Sequence, residues 1–305
     1  MNHVWLNGLL LPANEARIDP SDRGLLLGDG LFETLLAVDG RLPLIDRHLA
    51  RLSASAVALG IPLSWTPQAI AGACEGLLRA EGLAGELPGE LAEDPAEAFP
   101  APRLAALRIT LTTGPGARGL LRPQESRPTL LITAAPQDPV PARPARLILA
   151  STRIAGDSPL RRHKTLSYME SVLARREAAA AGADEALLLN TEGRPVEASA
   201  ANLFLLSEGK LWTPAIADGA LPGITRGLVL EMAAEMGLEA VEGRIGLQDL
   251  AKTESVFLSS SLMGLRRVSR LAGLPGGVDL DWDGEPDGLL QLRRIYASRL
   301  GLEAI

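Results

Sequence analysis

HKTLSYMESVLARREAAAAGADEALLLNTEGRPVEASAANLF, residues 163–204, holds the two residues that fit their surroundings least. The first is Lys164. Of the chain's 30 basic residues only Lys164, Lys210 and Lys252 are lysine, so arginine is the default cation and each lysine asks for a reason. An amine can shed its proton and attack a carbonyl, which a guanidinium cannot do. Lys210 falls in a tight EGK turn and Lys252 in a polar helix, where any solvated cation would serve. Lys164 is open to both readings, a reactive amine or a surface charge. The second residue is Glu197, on a strand of small and apolar residues, where a carboxylate is costly to bury without a partner. A protonated pyridine nitrogen would be such a partner; an outward-facing charge on an edge strand is the plain alternative.

Outward from this stretch the periodicity alternates between helix and strand. SYMESVLARREAAAAG reads as a helix stopped at Gly182, and DEALLLN, RPVEAS, NLFLLS and LWTPA read as a meander joined by TEG and EGK turns. TRGLVLEMAAEM, up to Gly237, is a helix, SVFLSSS a strand and LLQLRRIYASRL a terminal helix. Upstream, VWLNGLLL and LFETLLAVDGRLPL are strand-like, with Asp39-Gly40 as a hairpin signal. LIDRHLARLSASAVALG sets Ile45, Leu49, Leu52, Ala56 and Leu59 at helical spacing before Gly60. RLAALRITLTT and RPTLLITAA are two more strands. PQDPVPARPAR, with four prolines in residues 136–146, suits neither sheet nor helix and reads as a linker. The pattern is α+β in two domains, residues 1–135 and 147–305. Residues 81–103 are acidic, rich in Pro and Gly and aperiodic; a mobile loop near the pocket entrance is expected there.

Composition narrows the function. With 3% aromatic residues, a net charge of −7 and a pI near 5.2, the chain lacks the footprint of a nucleic-acid binder. A single cysteine, Cys74, excludes a disulfide framework, and His3, His48 and His163 have no ligand-type spacing, so no metal is expected. The N-terminus does not read as a signal peptide and no long uncharged apolar run occurs, which points to a cytoplasmic protein without membrane contact. GPGARG (114–119) has the spacing of a dinucleotide-binding turn, but the following LLRPQESRP is a poor helix, and that fingerprint needs a helix N-terminus for the pyrophosphate. LPGITR (221–226) is the better anion site: Pro222 and Gly223 bend the chain, leaving the amides of Ile224 and Thr225 at a helix start, where a phosphate is favoured. An ordinary Thr-capped helix is the alternative there.

The opening stretch followed by LPGITR, and preceded in the same order by DRGLLLGDGLFET and RHLARLSASA, resembles the class IV aminotransferases, the fold type IV group of pyridoxal-phosphate (PLP) enzymes, over nearly the whole chain. The resemblance implies a D-amino-acid-aminotransferase-like fold, with a small N-terminal α/β domain and a larger C-terminal domain containing a barrel-like sheet. It also implies a homodimer and a small-molecule amine substrate. By resemblance Lys164 forms the aldimine with PLP and shuttles protons, Glu197 pairs with the pyridine nitrogen, and Arg51 binds the phosphate. Ile224 and Thr225, with Leu221 and Gly223 of the same turn, and Ser261 with Ser260 beside it, complete the cofactor set. Tyr168 matches the tyrosine near the phenolic oxygen, one residue closer to the lysine than in branched-chain enzymes. Thr34 of LFET and the GPGARGL loop resemble the lyase members. Arg108 and Arg118 are candidate substrate ligands, strand parity leaving the direction of Arg108 open. The implied reaction is that of 4-amino-4-deoxychorismate lyase, yielding 4-aminobenzoate and pyruvate. The alternative is transamination of D-amino acids, branched-chain amino acids or (R)-amines with a 2-oxo acid acceptor.

Overall fold

The computed structural model describes residues 1–84 and 102–302, so the expected loop at 81–103 lies mostly outside the described residues. The chain forms two compact units. One comprises Met1–Pro139 with Lys164–Ser167 and Ser298–Ile305, the other Val140–His163 and Tyr168–Ala297.

The first unit contains β1 (His3–Leu6), β2 (Leu9–Pro12), α1 (Arg23–Leu27), β3 (Gly30–Val38), α2 (Ile45–Ala58), α3 (Pro67–Ala80), β4 (Leu104–Thr112) and β5 (Thr129–Pro136). Its sheet is antiparallel in the order β2-β1-β5-β4-β3. Asn7 and Gly8, both at positive φ, make the tight β1–β2 turn. Period-2 alternation sends Leu31, Leu35, Leu107, Ile109, Leu111, Leu130 and Ile132 to one core, which α2 and α3 cover with Leu49, Leu52, Ile70, Cys74, Leu77 and Leu78. The Asp39-Gly40 turn forms, but it closes only an isolated Val38–Arg41 bridge before the chain turns into α2. The strand that pairs with β3 is the distant β4. The turn chemistry was local and correct, whereas the pairing was decided by the apolar face that β3 shares with β4.

β3 is the outermost of the five strands, and its free edge is taken up by a segment from far along the chain: Phe32 N donates to Lys164 O (2.9 Å) and Leu166 N to Gly30 O (3.0 Å), around a Leu31–Thr165 bridge. Gly30 admits this approach because a Cβ there would collide with the Leu111 carbonyl and the Leu166 side chain.

The second unit contains β6 (Ala145–Ile154), α4 (Met169–Ala180), β7 (Glu185–Asn190), β8 (Pro195–Ala198), β9 (Asn202–Ser207), β10 (Lys210–Pro214), α5 (Ile224–Glu235), β11 (Glu239–Gly243), α6 (Leu247–Leu250), β12 (Ser255–Ser260), β13 (Gly264–Ala272), β14 (Leu280–Asp281) and α7 (Asp287–Leu300), whose last turn falls in the first unit. Six strands, β9-β12-β13-β6-β7-β8, return to β9 and close a barrel. The seam is one register pair, Glu197 with Asn202, flanked by an Ala198 N to Ala201 O bond of 2.7 Å. Leu147, Leu187, Leu203, Leu205, Val256, Leu258 and Val268 belong to one buried cluster of the barrel. α4 packs outside it against β6 and β7 through Ala174 and Ala178, small residues that let the helix lie close. The α+β architecture with a barrel-like sheet is the one the sequence implied.

Candidate active site

In the first unit the amine of Lys164 lies over the Phe32 ring, with Nζ 4.3 Å from its centroid. The Arg108 guanidinium lies 3.7 Å from the same centroid. The register pairs Thr34 with Arg108 and Phe32 with Thr110, placing all four on the sheet face opposite the helices, and Arg108 Nε donates to Thr110 Oγ1 at 3.2 Å. The parity of Arg108 is thus settled: it is exposed, on the face shared with Thr34.

On the helix-facing side of the same strand sits Glu33, 1% exposed. Its Oε2 accepts from His48 Nδ1 (2.7 Å) and Arg51 Nη2 (2.5 Å), and its Oε1 from Arg51 Nε (2.8 Å). Burial opposes the charge on Glu33, but the bonds from His48 and Arg51 outweigh it and hold the carboxyl below the usual range. Burial lowers the pKa of His48, against the pull of Glu33, and the charges of Arg51 and Lys164 lower it further. A carboxylate can only accept, so His48 Nδ1 carries the proton of this bond.

Arg118 is exposed in the GPGARGLL loop. No helix opens after the glycines, so a pyrophosphate would find no helix N-terminus there. The loop is held from beneath instead. Arg23, 3% exposed, donates to the carbonyls of Gly119, Leu120 and Leu121 and pairs with Asp29, which Arg122 also engages.

In the second unit Glu197 is buried within its strand and accepts from Leu221 N (2.9 Å), Asn202 Nδ2 (3.3 Å) and Arg161 Nη2. An outward edge charge is thereby ruled out. Arg161, a cation with no evident purpose in the sequence, also donates through Nε to Gly219 O (3.0 Å). Asn202 Nδ2 donates to Leu221 O as well (2.9 Å), tying the LPGITR turn to the barrel seam. Tyr168, half-buried, is the N-cap residue of α4.

Gly223, not Thr225, is the N-cap of α5, and no side chain caps the helix. Asn202 Oδ1 fills the space that a Cβ on Gly223 would need. Thr225 is 2% exposed and its hydroxyl makes no hydrogen bond. The Tyr296 hydroxyl lies near enough to feel it, yet neither makes a bond of full geometry, and burial pushes the phenol up to about 12. Ser259 Oγ is another buried hydroxyl without a partner, next to Ser260, whose Oγ accepts from Met263 N (3.3 Å), and Ser261. An uncapped helix N-terminus with orphaned hydroxyls suits an anion, and a carboxylate fixed by three donors suits a protonated ring nitrogen.

A family model described as amino-transferase class IV matches residues 30–271. The chain belongs to the class IV aminotransferases. A putative branched-chain-amino-acid aminotransferase of Methanocaldococcus jannaschii is 32% identical over 272 residues, 88% of each chain. The crystal structure of 4-amino-4-deoxychorismate lyase from Pseudomonas aeruginosa is 31% identical, with a TM-score of 0.78 and 97% of each chain covered. The branched-chain amino acid aminotransferase of T.th., complexed with N-(5'-phosphopyridoxyl)-L-glutamate, is 25% identical, with a TM-score of 0.81, covering 99% of this chain and 95% of that one. As a class IV aminotransferase family member the protein is a PLP-dependent enzyme. Glu33, His48, Arg161 and Asn202 were missed from sequence. The signals existed for two of them: Glu33 is an acid at a core position of the β3 alternation, and His48 and Arg51 stand three apart on the buried face of α2. Among the described residues no cluster of His, Cys, Asp and Glu is arranged to hold a metal, and no helix is long and apolar enough to cross a membrane.

Proposed function

We propose that the protein is a lyase acting on 4-amino-4-deoxychorismate, with transamination of D-amino acids, branched-chain amino acids or (R)-amines as the second reading. The observation that carries it is the Thr34–Arg108 pair on the sheet face beside Lys164, where an amine and a guanidinium both lie against the Phe32 ring. A carboxylate-bearing amine substrate suits these groups. The 31% identical lyase supports the first reading and the 32% identical aminotransferase the second.

PLP, when bound, supplies an electron sink that makes the carbon bearing the substrate's amine acidic. Lys164 is the residue for its aldehyde and, in neutral form, takes the proton from that carbon. Departure of the enolpyruvyl group as pyruvate then aromatises the ring to 4-aminobenzoate, so the two products together contain all the atoms of the substrate. Arg108 holds a substrate carboxylate, with Arg118 a further candidate, and Thr34 orients the leaving group. Glu197, fixed in place by Arg161, Leu221 N and Asn202, would hold a proton on the pyridine nitrogen, and Tyr168 would serve the phenolic oxygen. Arg51, the amides of Ile224 and Thr225 with Leu221 and Gly223 shaping their turn, and the hydroxyls of Ser260 and Ser261 take the phosphate.

A homodimer fits the same reading. Arg23 pins three successive carbonyls so that Leu120 and Leu121 stand 83% and 91% exposed, and it heads α1, whose Leu25, Leu26 and Leu27 are exposed too. A built apolar surface of this kind is suited to a second copy of the chain. Supplying aminodeoxychorismate without any 2-oxo acid tests the reaction. Pyruvate and 4-aminobenzoate in equal amounts, abolished in Lys164→Ala, are expected. No product, alongside turnover of an amino acid with 2-oxoglutarate, would replace the lyase reading with the second.

A further inference from the structure

Glu33 stands where the β3 alternation calls for an apolar residue, between Leu31 and Leu35 and opposite the fully buried Ile109. Three ionisable side chains, Glu33, His48 and Arg51, are gathered there at the edge of an otherwise hydrocarbon core. Burying such a group rarely adds stability over well-packed apolar residues, so a role outside stability is the natural explanation. The geometry is specific. Glu33 takes the Nε and Nη2 edge of Arg51 with one oxygen each, a two-point contact that fixes the plane of the guanidinium as well as its position. His48, one turn before Arg51 on α2, donates to the oxygen that receives Nη2 and fixes the carboxylate in turn.

A carboxylate beside an anion-binding arginine has two opposed effects. Its charge weakens the arginine's pull on a phosphate, and its two-point grip orients the donors toward one. If charge alone mattered, the chain would be better served by a neutral partner for Arg51. We propose that Glu33 is a positioning residue for the cofactor's phosphate: it holds the Arg51 guanidinium in the orientation that meets the anion, and His48 holds Glu33. This rests on the reading of Arg51 as a phosphate ligand.

The test compares apparent dissociation constants for PLP and for pyridoxal, which lacks the phosphate, in the full-length apoprotein. The variants are Glu33→Gln, Glu33→Asp, Arg51→Gln and the Glu33→Gln/Arg51→Gln double. The expected result is PLP binding weakened about tenfold or more in Glu33→Gln, with pyridoxal within about threefold of wild type. The double variant should bind PLP no more weakly than Arg51→Gln alone, since Glu33 then has nothing to orient. Tighter PLP binding in Glu33→Gln, or equal losses for PLP and pyridoxal, while Arg51→Gln selectively weakens PLP, would overturn the proposal and leave the Arg51 reading intact. An unchanged PLP-to-pyridoxal ratio in Arg51→Gln would defeat that reading, and the proposal with it. Should Glu33→Gln not fold, Glu33→Asp decides: the charge is kept but the carboxylate is shortened, so a selective loss for PLP supports orientation and an unaltered ratio refutes it.

Discussion

Replacing Arg161 with methionine keeps much of the side chain's length and removes its charge. In the structure this strips Glu197 of a cationic donor, while Leu221 N at 2.9 Å and the longer Asn202 Nδ2 contact at 3.3 Å stay in place. It also removes the Arg161 Nε to Gly219 O bond. Breaking one side of a fully buried ion pair costs about 3–5 kcal/mol, whereas a hydrogen bond to a charged group is worth about 1.5–3 kcal/mol. The Arg161 side chain is 20% exposed and that of Glu197 11%, so water reaches the pair and the lower range applies. Arg161→Met is expected to cost about 2 kcal/mol. With Trp5 and Trp65 changed to phenylalanine, the fluorescence of Trp212 and Trp282 reports on the second unit alone during urea unfolding. A cycle with Glu197→Gln should give a coupling of about 1–2 kcal/mol. A loss under about 0.5 kcal/mol with no coupling would show that Glu197 does not depend on Arg161.

Three more outcomes follow from particular contacts. Asp184, held down to about 2 by Arg143, the Arg146 amide and Arg266 against the cost of burial, lends stability that is complete above its ordinary 3.8 and fades as the pH falls through about 2. The stability gap between wild type and Asp184→Asn should therefore be full at pH 6 and shrink between pH 4 and pH 2, as read by urea midpoints. Cys74, wholly buried and pushed up to about 12, should resist thiol reagents at pH 8 in the native protein and react as one equivalent in denaturant. Leu120→Ser/Leu121→Ser should halve the mass seen by light scattering if those leucines join two copies, and an unchanged dimer mass would place the interface elsewhere.

Much of the proposed site was suggested by local chemistry in the chain: a lysine among arginines, an acid on an apolar strand, a Pro-Gly bend before a helix. The Thr-capped alternative for LPGITR stayed open because the sequence cannot say whether the N-cap is Gly223 or the threonine two residues on; the structure puts the cap at Gly223 and buries the threonine hydroxyl. Arg161 and Glu197 are 36 residues apart, and no spacing rule joins a 3₁₀ turn to a barrel seam. Nor could the sequence reveal that Lys164 belongs with the first unit, since strand-edge pairing between residues 30–32 and 164–166 leaves no periodic trace.

That pairing has a consequence for synthesis. Until Lys164–Ser167 is made, more than halfway through the 305 residues, β3 has an open row of backbone donors and acceptors. A nascent chain with such an edge is vulnerable to pairing with its neighbours on other ribosomes. Lys164, the amine proposed for the cofactor, thus arrives on the very segment that covers the start of this edge, so a chain cut off before it would lack that amine and be prone to clump.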